Sequence, residues 1–267
     1  MKKRSPEDMP LPVYARVDLT TGGVERFPIS EKYFKKYVGG KCMAARLLLD
    51  LLFPPKCPFC GRVLDAPGIC GACRKELPWT EGDESLCLLP GGLRCAAPLW
   101  YEGLAREGLH RYKFQGMSSA AGPLGELVAQ CAAENLSGEF DTVTWVPVSA
   151  KRLRQRGYDQ ARLLAERACG LWDTAPAPLL RKIVNNPAQS GLKEPARRRA
   201  NVLGVYEPAD PEAISGRRIL LVDDICTTGA TLAECARVLR EAGAEKVVCV
   251  TAALTREKEK VHKAAKE

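Results

Sequence analysis

The stretch LLVDDICTTGAT, Leu220 to Thr231, decides the fold class. Ile219, Leu220, Leu221 and Val222 are a continuous apolar run that reads as a buried strand. From Thr231 to Ala242 the apolar positions recur at helical spacing before Gly243. The polar cluster between them is therefore a strand-to-helix turn. The first amides of a helix have no partner within it and point outward, so such a turn offers an anion both hydrogen bonds and a favourable dipole. Gly229 and Ala230 let a ligand approach the backbone, and Thr227, Thr228 and Thr231 add hydroxyl donors, a set suited to phosphate oxygens. Asp223 and Asp224 cannot serve the same phosphate, because a carboxylate only accepts. They make sense if the ligand also carries hydroxyl groups, as a ribose 5-phosphate does. The alternative is a capped helix start with a solvated Asp pair.

The surroundings of this turn alternate helix and strand. Leu104 to Phe114, Pro123 to Asn135 and Asp159 to Leu171 read as helices, and Thr142 to Val148 and Lys246 to Ala252 as buried strands. Alternation of this kind implies an α/β fold with a mainly parallel sheet covered by helices on both faces, and ligands in such sheets bind beyond the strand C-termini. A second turn falls at the same end: VPVSAKRLRQRGYDQA follows a strand and carries Lys151, Arg152, Arg154 and Arg156 within six residues. It is either an anion-binding turn or a solvated basic face.

Composition sets the frame. A chain of 267 residues with 46% hydrophobic and 27% charged residues matches an ordinary globular protein. No apolar run reaches transmembrane length, and the basic Met1 to Arg4 leads into acidic and prolyl residues rather than the core of a signal peptide, so the expected location is the cytoplasm. Twelve cysteines in a reducing compartment argue for metal ligands and buried thiols over disulfides. A net charge of +8 points to an anionic partner without naming it.

The cysteines have a pattern. In LLFPPKCPFCGRVLDAPGICGACRKELPW, Cys57-x2-Cys60 and Cys70-x2-Cys73 are separated by nine residues. Gly61 and Gly71 mark turns at which four thiolates can converge on a tetrahedral zinc. Four protein ligands leave no open position, so such a zinc is structural. The alternative is buried or redox cysteines without metal. Cys87 and Cys95 lack obvious partners for a second site, and Cys42, Cys131, Cys169, Cys226, Cys235 and Cys249 read as small core or loop residues.

These motifs carry a resemblance. Apolar-apolar-Val-Asp-Asp-x-x-Thr-Thr-Gly-x-Thr resembles the phosphoribosyl pyrophosphate (PRPP) loop of type I phosphoribosyltransferases. It differs from the Walker pattern, which has a lysine after the glycine, and from the Gly-x-Gly-x-x-Gly fingerprint. The resemblance implies that Asp223 and Asp224 hold the ribose 2- and 3-hydroxyls, that Thr227, Thr228, Gly229, Ala230 and Thr231 wrap the 5-phosphate, and that PRPP arrives with magnesium. The basic turn resembles the family's pyrophosphate loop, which implies Lys151 and Arg152 as pyrophosphate neutralisers. Together with the cysteine pairs, AQSGL and RRRANVLGVY, it makes the chain from about Leu48 resemble the competence protein F family, ComF. That family usually has His-Pro where this chain has Ser149-Ala150.

The implied organisation is a leader over residues 1–47, a zinc-ribbon-like module over 48–95, a type I phosphoribosyltransferase-like domain over 96–256 and a charged tail over 257–267. The leader begins with VYARVDLTTGGVERFPIS, two alternating runs that read as a β-hairpin, followed by a helical stretch. Residues 11–48 resemble the extreme N-terminus of aldehyde:ferredoxin oxidoreductases. They omit nearly everything such a pterin enzyme needs, so no cofactor residue is carried over.

Three functions follow, in different classes. The ComF resemblance implies a protein of DNA uptake that binds PRPP with magnesium and single-stranded DNA, with uptake or helicase machinery as partners. Arg154, Arg156, Lys182, Arg197, Arg198 and Arg199 are the candidate phosphate contacts. Tyr112 and Tyr158 are candidate base stackers, against packing as the commoner role of such tyrosines. The alternative is an active phosphoribosyltransferase, a glycosyltransferase of pentosyl type, and nothing in the sequence marks its acceptor. In it the loop from Asn185 to Asn201, otherwise a surface linker, closes over the ligand. A metal-dependent oxidoreductase is the remote third, without a pterin motif.

Overall fold

The computed structural model describes residues 13–17, 24–28, 54–184 and 203–256. The chain divides into two compact units, Met1–Pro54 and Pro55–Glu267. In the first, β1 (Val13–Val17) and β2 (Val24–Pro28) form the antiparallel hairpin that their alternation predicts, with Val17 opposite Val24. The helix expected after it lies outside the described residues.

The second unit is built around one five-stranded sheet. Its strands are β3 (Leu86–Leu89), β4 (Leu93–Ala96), β5 (Thr142–Trp145), β8 (Arg218–Cys226) and β9 (Lys246–Leu254), in the order β3-β4-β9-β8-β5. The β4–β9, β9–β8 and β8–β5 pairings are parallel, and only β3–β4 is antiparallel. The mainly parallel sheet flanked by helices is the architecture that the alternation of elements predicts.

The continuous apolar run of β8 follows from burial on both faces. Leu220 and Val222 join Val248 and Val250 in one core, against α3 (Ala121–Asn135) and α5 (Gln160–Leu171). Ile219 and Leu221 join Val247 and Cys249 in the other, against α7 (Ala230–Glu241). The strand expected to reach Val148 stops at Trp145. Val146 still donates to the carbonyl of Val222, and then Pro147 has no N–H to continue the ladder.

The short helix α1 (Gly71–Glu76) starts at the second cysteine pair, with Cys70 as its N-cap and Cys73 in its first turn, and α2 (Gly103–Phe114) follows the β3–β4 hairpin. The described part of the cysteine module shares the core of the rest of the unit. Cys57, Phe59, Cys73 and Leu77 belong to the same buried cluster as Leu99, Leu109 and Tyr112. The hairpin Leu86–Ala96, read from the sequence as the end of that module, is paired into the central sheet, with Cys95 beside Cys249.

Four further elements belong to the unit. The helix α4 (Ala150–Arg156) follows β5, β6 (Leu180–Lys182) pairs antiparallel with β7 (Tyr206–Pro208) as a separate two-stranded sheet, and α6 (Pro211–Ile214) leads into β8. No helix among the described residues is long and apolar enough to cross a membrane.

Candidate ligand-binding site and metal centre

The four cysteines predicted as ligands come together. The sulfurs of Cys57, Cys60, Cys70 and Cys73 all lie within 4.8 Å of one another, and those of Cys60 and Cys70 are 3.6 Å apart. Tetrahedral zinc with bonds of about 2.3 Å needs sulfurs about 3.8 Å apart, so the donor set fits. Local backbone explains the convergence. Gly61, at φ +75°, donates to the Cys57 carbonyl and turns the first pair. Cys70 caps α1, its sulfur accepting from the Cys73 amide at 3.4 Å. The other described cysteines form no such group, and all but Cys87 are buried, as small core residues should be.

The turn after β8 is the floor of a cavity of about 440 Å³. Asp223 and Asp224, Thr227 to Thr231 and Arg152 all line it, so the carboxylates, the hydroxyls and one predicted pyrophosphate residue share a single space. Gly229, at φ +71°, opens α7, whose first turn holds no acidic residue to compete with an anion. The Thr228 hydroxyl accepts from the Ala230 amide at 3.5 Å, and the Thr255 hydroxyl donates to the Thr227 carbonyl at 2.9 Å, fixing the far side of the turn.

The carboxylates are not a solvated pair. Asp224 is 4% exposed and accepts from Lys113 Nζ at 2.8 Å. Asp223 accepts from the Asp224 amide at 2.8 Å. Burial, with the charge of Asp224 beside it, pushes the Asp223 carboxyl up to about 8. Lys113 lies 111 residues before Asp224 and nothing in its sequence context marks it. The fold delivers it through α2, whose end is tied to the start of α5: Tyr112 OH donates to the Gln160 carbonyl at 2.7 Å, and Gln160 Nε2 donates to the Lys113 carbonyl at 3.4 Å.

The basic turn is built by capping. Ser149, where His is usual in the resembling family, caps α4 by accepting from the Arg152 amide at 3.4 Å, and Gly157 ends it at φ +80°. Asp159 accepts from the amides of Val148 and Arg162 at 3.1 and 3.2 Å, locking this turn to α5. Arg152 and Arg156 line the cavity, whereas Lys151 and Arg154 are exposed and are not among its lining residues.

Lys182, read from the sequence as a nucleic-acid contact, stands in the cavity wall. It donates to Tyr206 OH at 3.1 Å and lies 4.9 Å from that ring's centre. Burial and the nearby Arg152 charge lower its pKa. Arg197, Arg198 and Arg199, with the whole loop from Asn185 to Asn201, lie outside the described residues. Tyr112 is a packing residue, fully buried, and Tyr158 donates its hydroxyl to the Tyr112 carbonyl. Base stacking by Tyr112 is not compatible with this packing, whereas Tyr158 is half-buried. Sequence reasoning missed Lys113, Phe114, Gln160 and Tyr206, which also line the cavity.

Comparison with known proteins agrees with both halves. The family described as "Phosphoribosyl transferase domain" matches residues 155–267, and "Double zinc ribbon domain" matches residues 48–108. The competence protein ComFC of Bacillus subtilis (strain 168) is 30% identical over 202 residues, covering 76% of this chain and 78% of that protein. The DNA utilization protein YhgH of Escherichia coli (strain K12) is 28% identical over 225 residues, covering 69% and 96%. Competence protein F of Haemophilus influenzae is 34% identical over 107 residues, covering 38% and 46%. The likeness of residues 11–48 to aldehyde:ferredoxin oxidoreductases is not borne out.

Proposed function

We propose that this chain, which belongs to the ComF family of competence proteins, binds PRPP with magnesium in the cavity at the end of β8 and holds single-stranded DNA beside it, as a cytoplasmic component of DNA uptake. One observation carries the ligand: two carboxylates, Asp223 and Asp224, line one cavity together with the hydroxyl-rich turn Thr227–Thr231 and the cations Arg152 and Lys182. Acceptors for ribose hydroxyls thus share one space with donors for a 5-phosphate and donors for a pyrophosphate.

Magnesium takes hard oxygen ligands, and the carboxylate oxygens of this cavity with a ligand's own hydroxyl and phosphate oxygens are of that kind. When bound it supplies charge neutralisation at the pyrophosphate. Lys113 holds Asp224 in place, while Arg152 and Lys182 face the leaving end. The test is isothermal titration with PRPP and magnesium. Binding by the wild type, abolished in Asp223→Asn plus Asp224→Asn with the fold intact, supports the reading, and undiminished affinity in a folded double variant overturns it.

The DNA part rests on family membership and on the basic residues around the cavity. Uptake or helicase machinery is the partner class it implies. A second reading, transfer of the phosphoribosyl group to an acceptor, is favoured by the size of the cavity, about 440 Å³, whose lining includes Lys182 and Tyr206 besides the carboxylates. Release of pyrophosphate from PRPP in the presence of an acceptor distinguishes turnover from binding alone.

A further inference from the structure

The outer face of α2 carries a feature that PRPP binding does not use. Arg106, His110 and Phe114 recur every four residues, so they form one row along the helix, about 12 Å long. All three are exposed. Phe114, at 51%, is the one aromatic ring among the large apolar side chains that stand exposed in the described residues. The His110 ring lies 4.9 Å from it, and the Arg156 guanidinium lies 5.0 Å from its centre. Arg106, Phe114 and Arg156 also line the cavity, so both ends of the row border it. A phenyl ring half in water, with a guanidinium over it and an imidazole tilted beside it, offers its exposed part to another flat group, because a ring face both stacks on rings and attracts cations.

We propose that this row is where single-stranded nucleic acid meets the protein, with an unstacked base on the Phe114 ring and Arg106 and Arg156 on the flanking phosphates. The proposal rests on the nucleic-acid part of the reading above and adds to it the residues and the mode. Every base has a π-face, so a ring-and-cation row grips a strand with little regard to sequence. Its position at the border of the cavity places a nucleotide next to the PRPP turn. The buried Tyr112 leaves Phe114 to do the stacking.

The experiment is an anisotropy titration of the full chain with labelled oligothymidine over a range of salt. Phe114→Ala weakens binding about tenfold and leaves the salt slope at its wild-type value, since no phosphate contact is lost. Phe114→Trp retains the affinity. Arg106→Gln lowers the slope by about 0.7 instead. A strand of abasic sugar-phosphates binds wild type and Phe114→Ala alike. Phe114→Leu, which keeps the apolar contacts of the side chain, loses the base-dependent part all the same, and zinc content and melting temperature show that each variant is folded. Wild-type affinity of Phe114→Ala for oligothymidine overturns the stacking row while leaving DNA binding standing. Equal loss of the abasic strand overturns it too. A wild type that binds no strand at low salt overturns both the row and the nucleic-acid reading beneath it.

Discussion

Gly108 of α2 and Phe59 of the cysteine module are packed so closely that a β-carbon on Gly108 would stand 2.5 Å from Phe59 Cδ1 and 2.9 Å from the Pro58 carbonyl oxygen. Arg111, almost one turn further along, donates to the Phe59 carbonyl. The loop between the first two zinc ligands is therefore docked onto the helix that carries Lys113, and Lys113 pairs with Asp224. Order in the metal module reaches the carboxylates of the cavity through one helix.

Replacing Gly108 with alanine tests that contact. In an unconstrained helix the change stabilises by up to about 1 kcal/mol. Here the new methyl meets a buried ring and a backbone carbonyl, and overpacking of this kind costs about 1–3 kcal/mol. The expected net result is a loss on the order of 1 kcal/mol in thermal unfolding and easier removal of zinc by a chelator. A variant as stable as the wild type would show that Phe59 moves aside freely.

Zinc removal should act on the same path. Protein purified without chelator is expected to carry one zinc per chain, bound by Cys57, Cys60, Cys70 and Cys73. A segment this small relies on metal for its folding free energy. Chelation is expected to unfold it first, which the fluorescence of Trp79 reports, and then to weaken PRPP binding as α2 loses its support. Elemental analysis that finds no zinc contradicts the first step. Unchanged PRPP affinity in zinc-free protein contradicts the second.

The Asp223 carboxyl gives two opposite pH dependences. Burial, and then the Asp224 charge, raise its pKa to about 8. A ribose hydroxyl needs a charged acceptor, so PRPP affinity should climb as pH rises through about 8 and level off above it. Stability moves the other way. An unfolded Asp ionises near 3.9, so between about 4 and about 8 the native state holds a proton that the unfolded chain has lost, and this group's contribution falls as pH rises across that window. Lys113→Ala removes a charge that opposes protonation of Asp223 and should move the affinity midpoint to higher pH. Titration calorimetry with PRPP at pH 6 to 9 that gives a flat affinity in the wild type refutes the assignment.

The elements that the sequence made legible are those whose chemistry is local. The apolar run before Asp223 and the helical spacing after Thr231 specify their own turn, and each cysteine pair sits in its own knuckle. What stayed hidden depends on contacts distant in sequence. Lys113 is an ordinary cation until α2 crosses to Asp224. Nothing local to Leu86–Ala96 tells that β4 lies beside β9. Tyr112 and Phe114 are two aromatic residues two positions apart on one helix, and only the packing of α2 against α5 decides that the first is buried and the second exposed. The strand expected over Thr142–Val148 ends at Trp145, because Val146 makes a last bond to Val222 and Pro147 has no N–H to extend the ladder, although the valines around it keep the apolar pattern going.

Gly229 offers a test that separates backbone strain from crowding. It opens α7 at φ +71°, and a β-carbon there would stand 2.8 Å from Leu89 Cδ2 on β3. Gly229→Ala therefore carries two penalties, about 1–2 kcal/mol for a left-handed backbone with a side chain and a further amount for displacing Leu89. The leucine tip can move, whereas the dihedral cannot be relieved without turning the first amides of α7 away from the cavity. Stability is therefore expected to recover in part when Leu89→Ala is added, measured against Leu89→Ala alone as a double-mutant cycle. PRPP affinity, lowered at least tenfold by Gly229→Ala, is expected to stay low in the double variant. Full recovery of affinity on trimming Leu89 would mean that the glycine serves only to make room for β3, and that the geometry of the turn tolerates a side chain.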